Sequence, residues 1–404
     1  MEKSQRELNM YIKLFAILYA DDTIILADSV QGMQNALDIF QNYCEAWKLE
    51  VNVTKTKIMV FSRGTLRQKF EFRLQGQILE KVNSYSYLGL TFQCNGKFSD
   101  AKKKLVNQAQ KSLFSIYRNI RNQSIPIDLQ LKLFDSMVEP ILLYGSEIWG
   151  FENLKIIQVH FNFCKRILKV RTTTPNYMVY GELGRFPLEI NVKIRMVTFW
   201  RKLLCSEKLS SYMYKLLFSL KQSDNCTFKW LEYIESIFND TGMGYVFANQ
   251  DSTDYNIIIK QILQDQFIQK WVNESQLSSR GQFYSSFKEK FCFEKYLIKL
   301  PENSRIWITK LRTSNLKIPI ETGRWHNIPV NERICHKCNE NIGDEFHYMF
   351  VCKSPDLLFL REKFIPKYYV TFPCKQKLIG LLTYCNVTLY KKVASFIRKI
   401  VSIL

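Results

Sequence analysis

The stretch Leu14-Phe15-Ala16-Ile17-Leu18-Tyr19-Ala20-Asp21-Asp22-Thr23-Ile24-Ile25-Leu26-Ala27 sets two adjacent carboxylates between two apolar runs. Aliphatic and β-branched flanks of this length predict two short strands with the acidic pair at their turn. A buried, unpaired carboxylate is costly, so the pattern calls for a cation beside it. Side chains alternate faces along a strand, where consecutive aspartates could not share one ion; at a tight turn they can converge. Hard oxygen ligands suit Mg²⁺, and paired Mg²⁺ ions are the usual machinery of nucleotidyl transfer. A solvated Asp-Asp turn is the plain alternative.

Downstream, Ser29 can cap a helix over 30–48, with Met33, Leu37, Phe40, Tyr43, Cys44 and Trp47 on one apolar face. Val51-Asn52-Val53-Thr54-Lys55-Thr56-Lys57 leads into a strand, Ile58-Met59-Val60-Phe61. Two further strands, 70–74 and 77–79, meet across a turn at Gln75-Gly76, and a third runs over 85–92.

Tyr-Ala-Asp-Asp between two apolar strands, followed by helix and strand in this order, resembles the catalytic hairpin and second palm half of reverse transcriptases. The continuation is similar to the non-LTR retrotransposon (LINE-type) branch. The resemblance implies that Asp21 ligates Mg²⁺ directly and Asp22 supports the site, with Tyr19 and Ala20 at the primer end. It matches Lys55 to the palm lysine that assists the departing pyrophosphate, and Tyr87-Leu88-Gly89 to the strand turn that grips the primer. Read by themselves, Lys55 is a solvated lysine and Gly89 relieves a bulge.

The chain has 404 residues, enough for two or three domains, and 47% hydrophobic residues with 14% aromatics argue for a folded protein. Its 57 Lys+Arg against 37 Asp+Glu leave a charge of +20, the footprint of a polyanion-binding protein. Nucleic acid is the commonest such partner, with a membrane surface as the rival. No apolar run reaches transmembrane length, and Met-Glu-Lys-Ser-Gln-Arg-Glu does not read as a signal peptide. Eleven cysteines, an odd number, point to a reduced intracellular setting, nucleus or cytoplasm.

Residues 101–121 carry Lys102, Lys103, Lys104, Lys111, Arg118 and Arg121 and no acid. Leu105, Ala109, Leu113, Ile116 and Ile120 recur at helical spacing, so Lys104, Lys111 and Arg118 line one side of an amphipathic helix. Such a row suits a thumb that tracks duplex phosphates; a solvated basic face is the alternative. Pro126 should end this helix, and another runs from Leu129 to Tyr144. The segments 140–150 and 179–188 also resemble LINE sequence but suggest packing rather than chemistry, and Ile320-Glu321-Thr322-Gly323-Arg324 resembles it too.

Cys335-x2-Cys338-x8-His347-x4-Cys352 is the second chemical constellation. A Cys-x2-Cys turn presents two thiolates to one tetrahedral ion, and the His-Cys pair completes a closed structural Zn²⁺ site. His336 is the weaker histidine candidate. The outer spacing is that of a zinc knuckle with a lengthened central loop. Beyond it, residues 353–404 carry ten Lys/Arg against two Asp/Glu.

The fold expected is α+β: a partial polymerase palm over 1–95, a helical thumb over 96–190, a helical connection over 191–310, and a zinc-binding module with a basic tail over 311–404. Eighteen residues precede Tyr19, too few for fingers or the first palm half, and the third metal-binding aspartate that the resemblance implies has no candidate. No nuclease segment is recognisable at either end. The expected function is that of a truncated LINE-type RNA-directed DNA polymerase. Its partners would be an RNA template and a DNA primer or target, with dNTPs in the complete enzyme. This chain alone should bind nucleic acid with little activity. The alternatives are a non-catalytic, zinc-dependent RNA/DNA-binding protein derived from a retrotransposon, and a chain that folds poorly because its palm sheet exposes an edge.

Overall fold

In a computed structural model, residues 16–62, 70–120, 125–152, 156–223, 227–384 and 386–404 are described. Leu14, Phe15 and Arg121 of the sequence reading lie outside them. The chain divides into two compact units: Met1–Leu105 with Gly145–Asn153 and Met196–Asp254, and Val106–Tyr144 with Leu154–Arg195 and Tyr255–Leu404.

In the first unit, β1 (Ala16–Tyr19) and β2 (Asp22–Ile25) pair antiparallel, with Tyr19 opposite Asp22. Ser29 accepts a hydrogen bond from the Gly32 amide at 3.1 Å and starts the helix Val30–Ala46, as a side-chain oxygen at that position should. Leu37 from this helix joins Ile58, Phe72, Leu74 and Leu79 in a small core, with Ile25, Met33, Val51 and Val60 packed around it. The expected apolar face is only half used. Cys44 lies about 20° from Leu37 around the helix and is buried, whereas Tyr43 and Trp47 lie about 120° and 80° away. Those two rings are 53% and 69% exposed.

The strands correct the sequence reading in three places. The strand expected over 58–61 pairs only at β3 (Lys57–Ile58), which runs parallel to β6 (Glu80–Lys81). β4 (Arg73–Leu74) and β5 (Gln77–Ile78) form the expected hairpin in shortened form, held to the helix by Gln34, which accepts from the Arg73 amide at 2.9 Å. The single strand expected over 85–92 is a hairpin, β7 (Ser84–Tyr87) and β8 (Leu90–Gln93). Leu88 (φ 47°) and Gly89 (φ 80°) turn it, so Gly89 supplies turn geometry rather than a bulge. All the sheets of the described residues are two-stranded and the rest is largely helical; the mixed α+β class stands, but no continuous palm sheet is present among them.

The same unit buries Trp149, with Gly145 (φ 69°) beside it. A Cβ on Gly145 would sit 3.3 Å from both Leu90 Cδ1 and Trp149 Nε1. That accounts for part of the LINE-like segment 140–150 as packing. The preceding helix, expected over 129–144, ends earlier: Ile127–Met137 is followed by a separate turn, Glu139–Leu142, with Pro140 in its first turn. Pro126 stands at the start of Ile127–Met137, where its missing N–H costs nothing.

The second unit is built on Glu182, from the other LINE-like segment. Its fully buried carboxylate pairs with Arg312 Nε at 2.9 Å and accepts from the Tyr296 hydroxyl at 2.7 Å. Arg312 also reaches Glu294 at 3.2 Å. The flanking glycines permit this approach: a Cβ on Gly181 would lie 2.5 Å from Tyr284 Oη, and one on Gly184 2.3 Å from Phe293 N.

His160 is buried nearby, its ring 5.1 Å from that of Phe134 and its Nε2 accepting from Arg185 Nε at 3.3 Å. Burial, with Arg185 adding to it, pushes its pKa down to about 3. A depressed histidine contributes stability above its unfolded value of 6.5 that is lost as pH falls toward the folded value. The expected loss from this group is roughly 2–3 kcal/mol by about pH 4.5. Urea titrations of His160→Asn should show a shallower acid slope by that amount; an unchanged slope would refute the assignment. Among the described residues no helix is long and apolar enough to cross a membrane.

Candidate nucleic-acid and metal-binding sites

The acidic turn is presented, not enclosed. Ala20 takes the left-handed conformation (φ 52°) that closes the two-residue turn, and Asp21 and Asp22 are both exposed. Tyr19 is 62% exposed beside them. The burial argument for a compensating cation therefore does not apply to this arrangement: water solvates both carboxylates. Both carboxylates are hard oxygen donors of the type that Mg²⁺ takes.

Lys55 is exposed on a loop tied by Asn52, whose side-chain oxygen accepts from the Lys55 amide at 3.0 Å and from Thr54 Oγ1 at 2.7 Å. It shares no hydrogen bond or ion pair with Asp21 or Asp22. Tyr87, Leu88 and Gly89 form the tip of the β7–β8 hairpin. Lys104, from the helix Ser99–Ile120, donates to Ser86 Oγ at 3.1 Å on that same hairpin. Lys111 and Arg118 are exposed along the helix. Lys102 departs from the expected uncompensated run: it is buried and pairs with Glu152 at 2.5 Å, an acid supplied from 50 residues downstream.

The cysteine–histidine tetrad is brought together. The ligand atoms of Cys335, Cys338, His347 and Cys352 lie within 4.8 Å of one another. Cys335 and Cys352 Sγ are 3.7 Å apart, and Cys338 Sγ is 3.3 Å from His347 Nε2. A tetrahedral Zn²⁺ with ordinary bond lengths places sulfurs about 3.8 Å apart and sulfur and nitrogen about 3.6 Å apart. The donor set fits.

Local hydrogen bonds explain how these residues converge. The Cys335 amide donates to Asn341 O at 2.8 Å, the Asn339 amide (φ 56°) to Cys335 O at 2.9 Å, and the Lys337 amide to Cys335 Sγ at 3.4 Å. On the other side Asp344 Oδ1 accepts from the His347 amide at 2.7 Å, and a wide π-type turn carries the Cys352 amide back to His347 O at 2.9 Å. Burial lowers the His347 pKa, favouring the neutral imidazole that binds metal. Burial also pushes the Cys352 thiol up to about 12, so without a metal it stays protonated.

Comparison with known proteins bears on the acidic turn directly. Residues 1–92 match the family described as reverse transcriptase (RNA-dependent DNA polymerase). The chain is 29% identical over 178 residues to the probable RNA-directed DNA polymerase from transposon BS of Drosophila melanogaster, covering 41% of this chain and 19% of that protein. It is 27% identical over 165 residues to the RNA-directed DNA polymerase from mobile element jockey of the same fly, covering 38% and 17%. A putative uncharacterized transposon-derived protein of Caenorhabditis elegans is 24% identical over 163 residues, covering 38% and 57%. The chain thus spans under a fifth of the first two relatives, and the LINE-type resemblance is consistent with all of these transposon and mobile-element proteins.

Outside the segment matched by the family model, sequence reasoning missed a group of cations in the second unit. Arg171, Arg280 and Arg324 converge near Glu321, with the Arg171 guanidinium 4.9 Å from the ring centre of Trp325. The one sequence signal nearby was the LINE-like run 320–324. Arg171 and Arg280 sit in segments with no motif, and only tertiary packing assembles the group.

Proposed function

We propose that this chain is the nucleic-acid-binding part of a LINE-type RNA-directed DNA polymerase, with little polymerase activity by itself. The observation that carries the reading is the exposed Tyr19-Ala20-Asp21-Asp22 turn inside a segment that matches reverse transcriptases. In this reading 1–95 is palm, 96–190 thumb, 191–310 connection and 311–404 a zinc module with a basic tail. Asp21 and Asp22 hold Mg²⁺, which when bound polarises phosphate and hydroxyl oxygens. Tyr19, Ala20 and the Tyr87-Leu88-Gly89 turn contact the primer, Lys55 faces the departing pyrophosphate, and Lys104, Lys111 and Arg118 follow duplex phosphates. RNA template, DNA primer or target and dNTPs are the partners, in the nucleus or cytoplasm, where thiols stay available for Zn²⁺.

The low activity follows from ligand count: two carboxylates are assigned, a third is not, and loss of positioning removes most of the rate of phosphoryl transfer. Primer extension with Mg²⁺ and dNTPs, run beside Asp21→Ala, tests this. Both proteins should bind a labelled primer–template equally and extend it at background. Robust extension that Asp21→Ala abolishes would overturn the low-activity claim, and absence of binding would overturn the rest. The tetrad favours a second reading, a non-catalytic zinc-dependent binder. Under it, salt-sensitive RNA or DNA binding survives Asp21→Ala but not Cys338→Ser.

A further inference from the structure

The cations around Trp325 are held in place largely by neutral oxygens and outnumber the acid beside them. Arg171 donates to Ser314 O at 3.2 Å and to Asn315 Oδ1 at 3.2 Å, and its Nη1 is buried with no hydrogen-bond partner. Arg280 donates to Thr173 O, Lys165 to Thr172 O, and Arg324 to Ser279 O and, at 3.1 Å, to Ser279 Oγ. Carbonyl and amide oxygens orient a guanidinium but leave its charge in place. The acid among them is Glu321, 3.4 Å from Arg324; Glu345, behind Ser314, is pushed up to about 7 by burial. The electrostatic surplus registers on the lysines: burial, together with Arg280, lowers Lys165, and burial, together with Arg171 and Lys317, lowers Lys310.

Trp325 stands over this group with 48% of its surface exposed. Its loop is fixed from below. Arg333 donates to Ile328 O at 2.9 Å and to Ile320 O at 3.0 Å, and its side chain fills the space against Gly323, where a Cβ would meet Arg333 Cγ at 2.6 Å. The Ile320 amide donates to Gly343 O at 3.1 Å, on the loop between Cys338 and His347. The tetrad segment is thus a strut for the Trp325 loop.

We propose that Trp325, backed by Arg171, is a stacking platform for an unpaired base of single-stranded nucleic acid, with Arg280 and Arg324 receiving the flanking phosphates. An exposed indole backed by arginine offers a π-face to any base, and the uncancelled cations attract the backbone on both sides. A duplex keeps its bases stacked internally and cannot use the indole face. The inference rests on the nucleic-acid-binding reading above and names a contact within it.

The test is fluorescence anisotropy with a labelled single strand of about 12 nucleotides and its duplex, using the full chain loaded with zinc. Trp325→Ala should weaken single-strand binding about tenfold while leaving duplex binding within about twofold. Trp325→Phe should restore most of the loss, and Arg280→Gln should lower the salt slope by about one. Zinc content and circular dichroism of the variants should match the parent. Unchanged single-strand affinity in Trp325→Ala, or equal losses on both substrates, would overturn the platform while leaving the functional reading intact. A parent chain that binds neither substrate would overturn both.

Discussion

Zinc removal is expected to unfold the segment from Ile320 to Cys352. Structural Zn²⁺ contributes about 10–16 kcal/mol in small modules of this kind, and little else here could replace it. The loop holding Cys335 and Cys338 has a single isolated strand bridge, Ile334 to Ile342. The apolar side chains Tyr348, Met349 and Phe350 are buried by the turn that runs from one ligand, His347, to another, Cys352. A metal-free tetrad would bury the Cys335 and Cys352 thiols and an imidazole whose Nδ1 already lacks a partner. Chelation or Cys335→Ser should therefore expose 320–352 to protease while residues of the Glu182 centre stay protected. Elemental analysis should give about one zinc per chain before treatment. A zinc-free protein with an unchanged digestion pattern would refute the site.

Arg312→Leu is expected to destabilise the second unit by about 3–5 kcal/mol, the cost of leaving a buried ion pair half made. Burial opposes the Arg312 charge, yet Glu182 and Glu294 hold its pKa well above the usual value. Removing it strands Glu182, whose side chain is 0% exposed, with only the Tyr296 hydroxyl and no countercharge. Glu294 fares better because Lys288 remains beside it. Urea unfolding monitored by tryptophan fluorescence measures the loss. The double variant Glu182→Leu/Arg312→Leu should recover a large part, since it removes both buried charges together. A double variant no more stable than the single one would show that packing, not charge, dominates there.

The acidic hairpin and the tetrad were legible because each is encoded within a few dozen residues. Apolar runs flank Asp21 and Asp22 with the period of strands, and Cys-x2-Cys and His-x4-Cys each fix half a tetrahedron. The Ser29 cap was readable for the same local reason. The Tyr85–Phe92 region was misread because its turn is Leu88-Gly89. A leucine at φ 47° carries none of the polar turn chemistry that marks such positions. Tyr43 and Trp47 were misassigned to a core since helical spacing tells which residues share a side, not how wide a stripe the neighbours cover. Lys102 looked uncompensated because its acid, Glu152, is remote in sequence. The Arg171–Arg280–Trp325 group was invisible for that reason too: Arg280 lies over a hundred residues after Arg171, and Trp325 lies further on again.

The close approaches at Gly181, Gly184, Gly323 and Gly343 bear on how copies of such a sequence would diverge. At Gly343 a methyl group would lie 2.8 Å from Pro319 Cγ and 3.1 Å from Cys335 Cα, and the other three are tighter still. Any single-base change to an amino acid with a side chain at these codons would strain the Glu182 centre, the Trp325 loop or the tetrad. A lineage released from selection for a folded product should therefore lose these glycines at the neutral rate, whereas one still translated for use should keep them while exposed positions such as Lys103 drift. Counting substitutions at those codons among sister copies would separate a decaying genomic relic from a protein that a cell or a mobile element still needs.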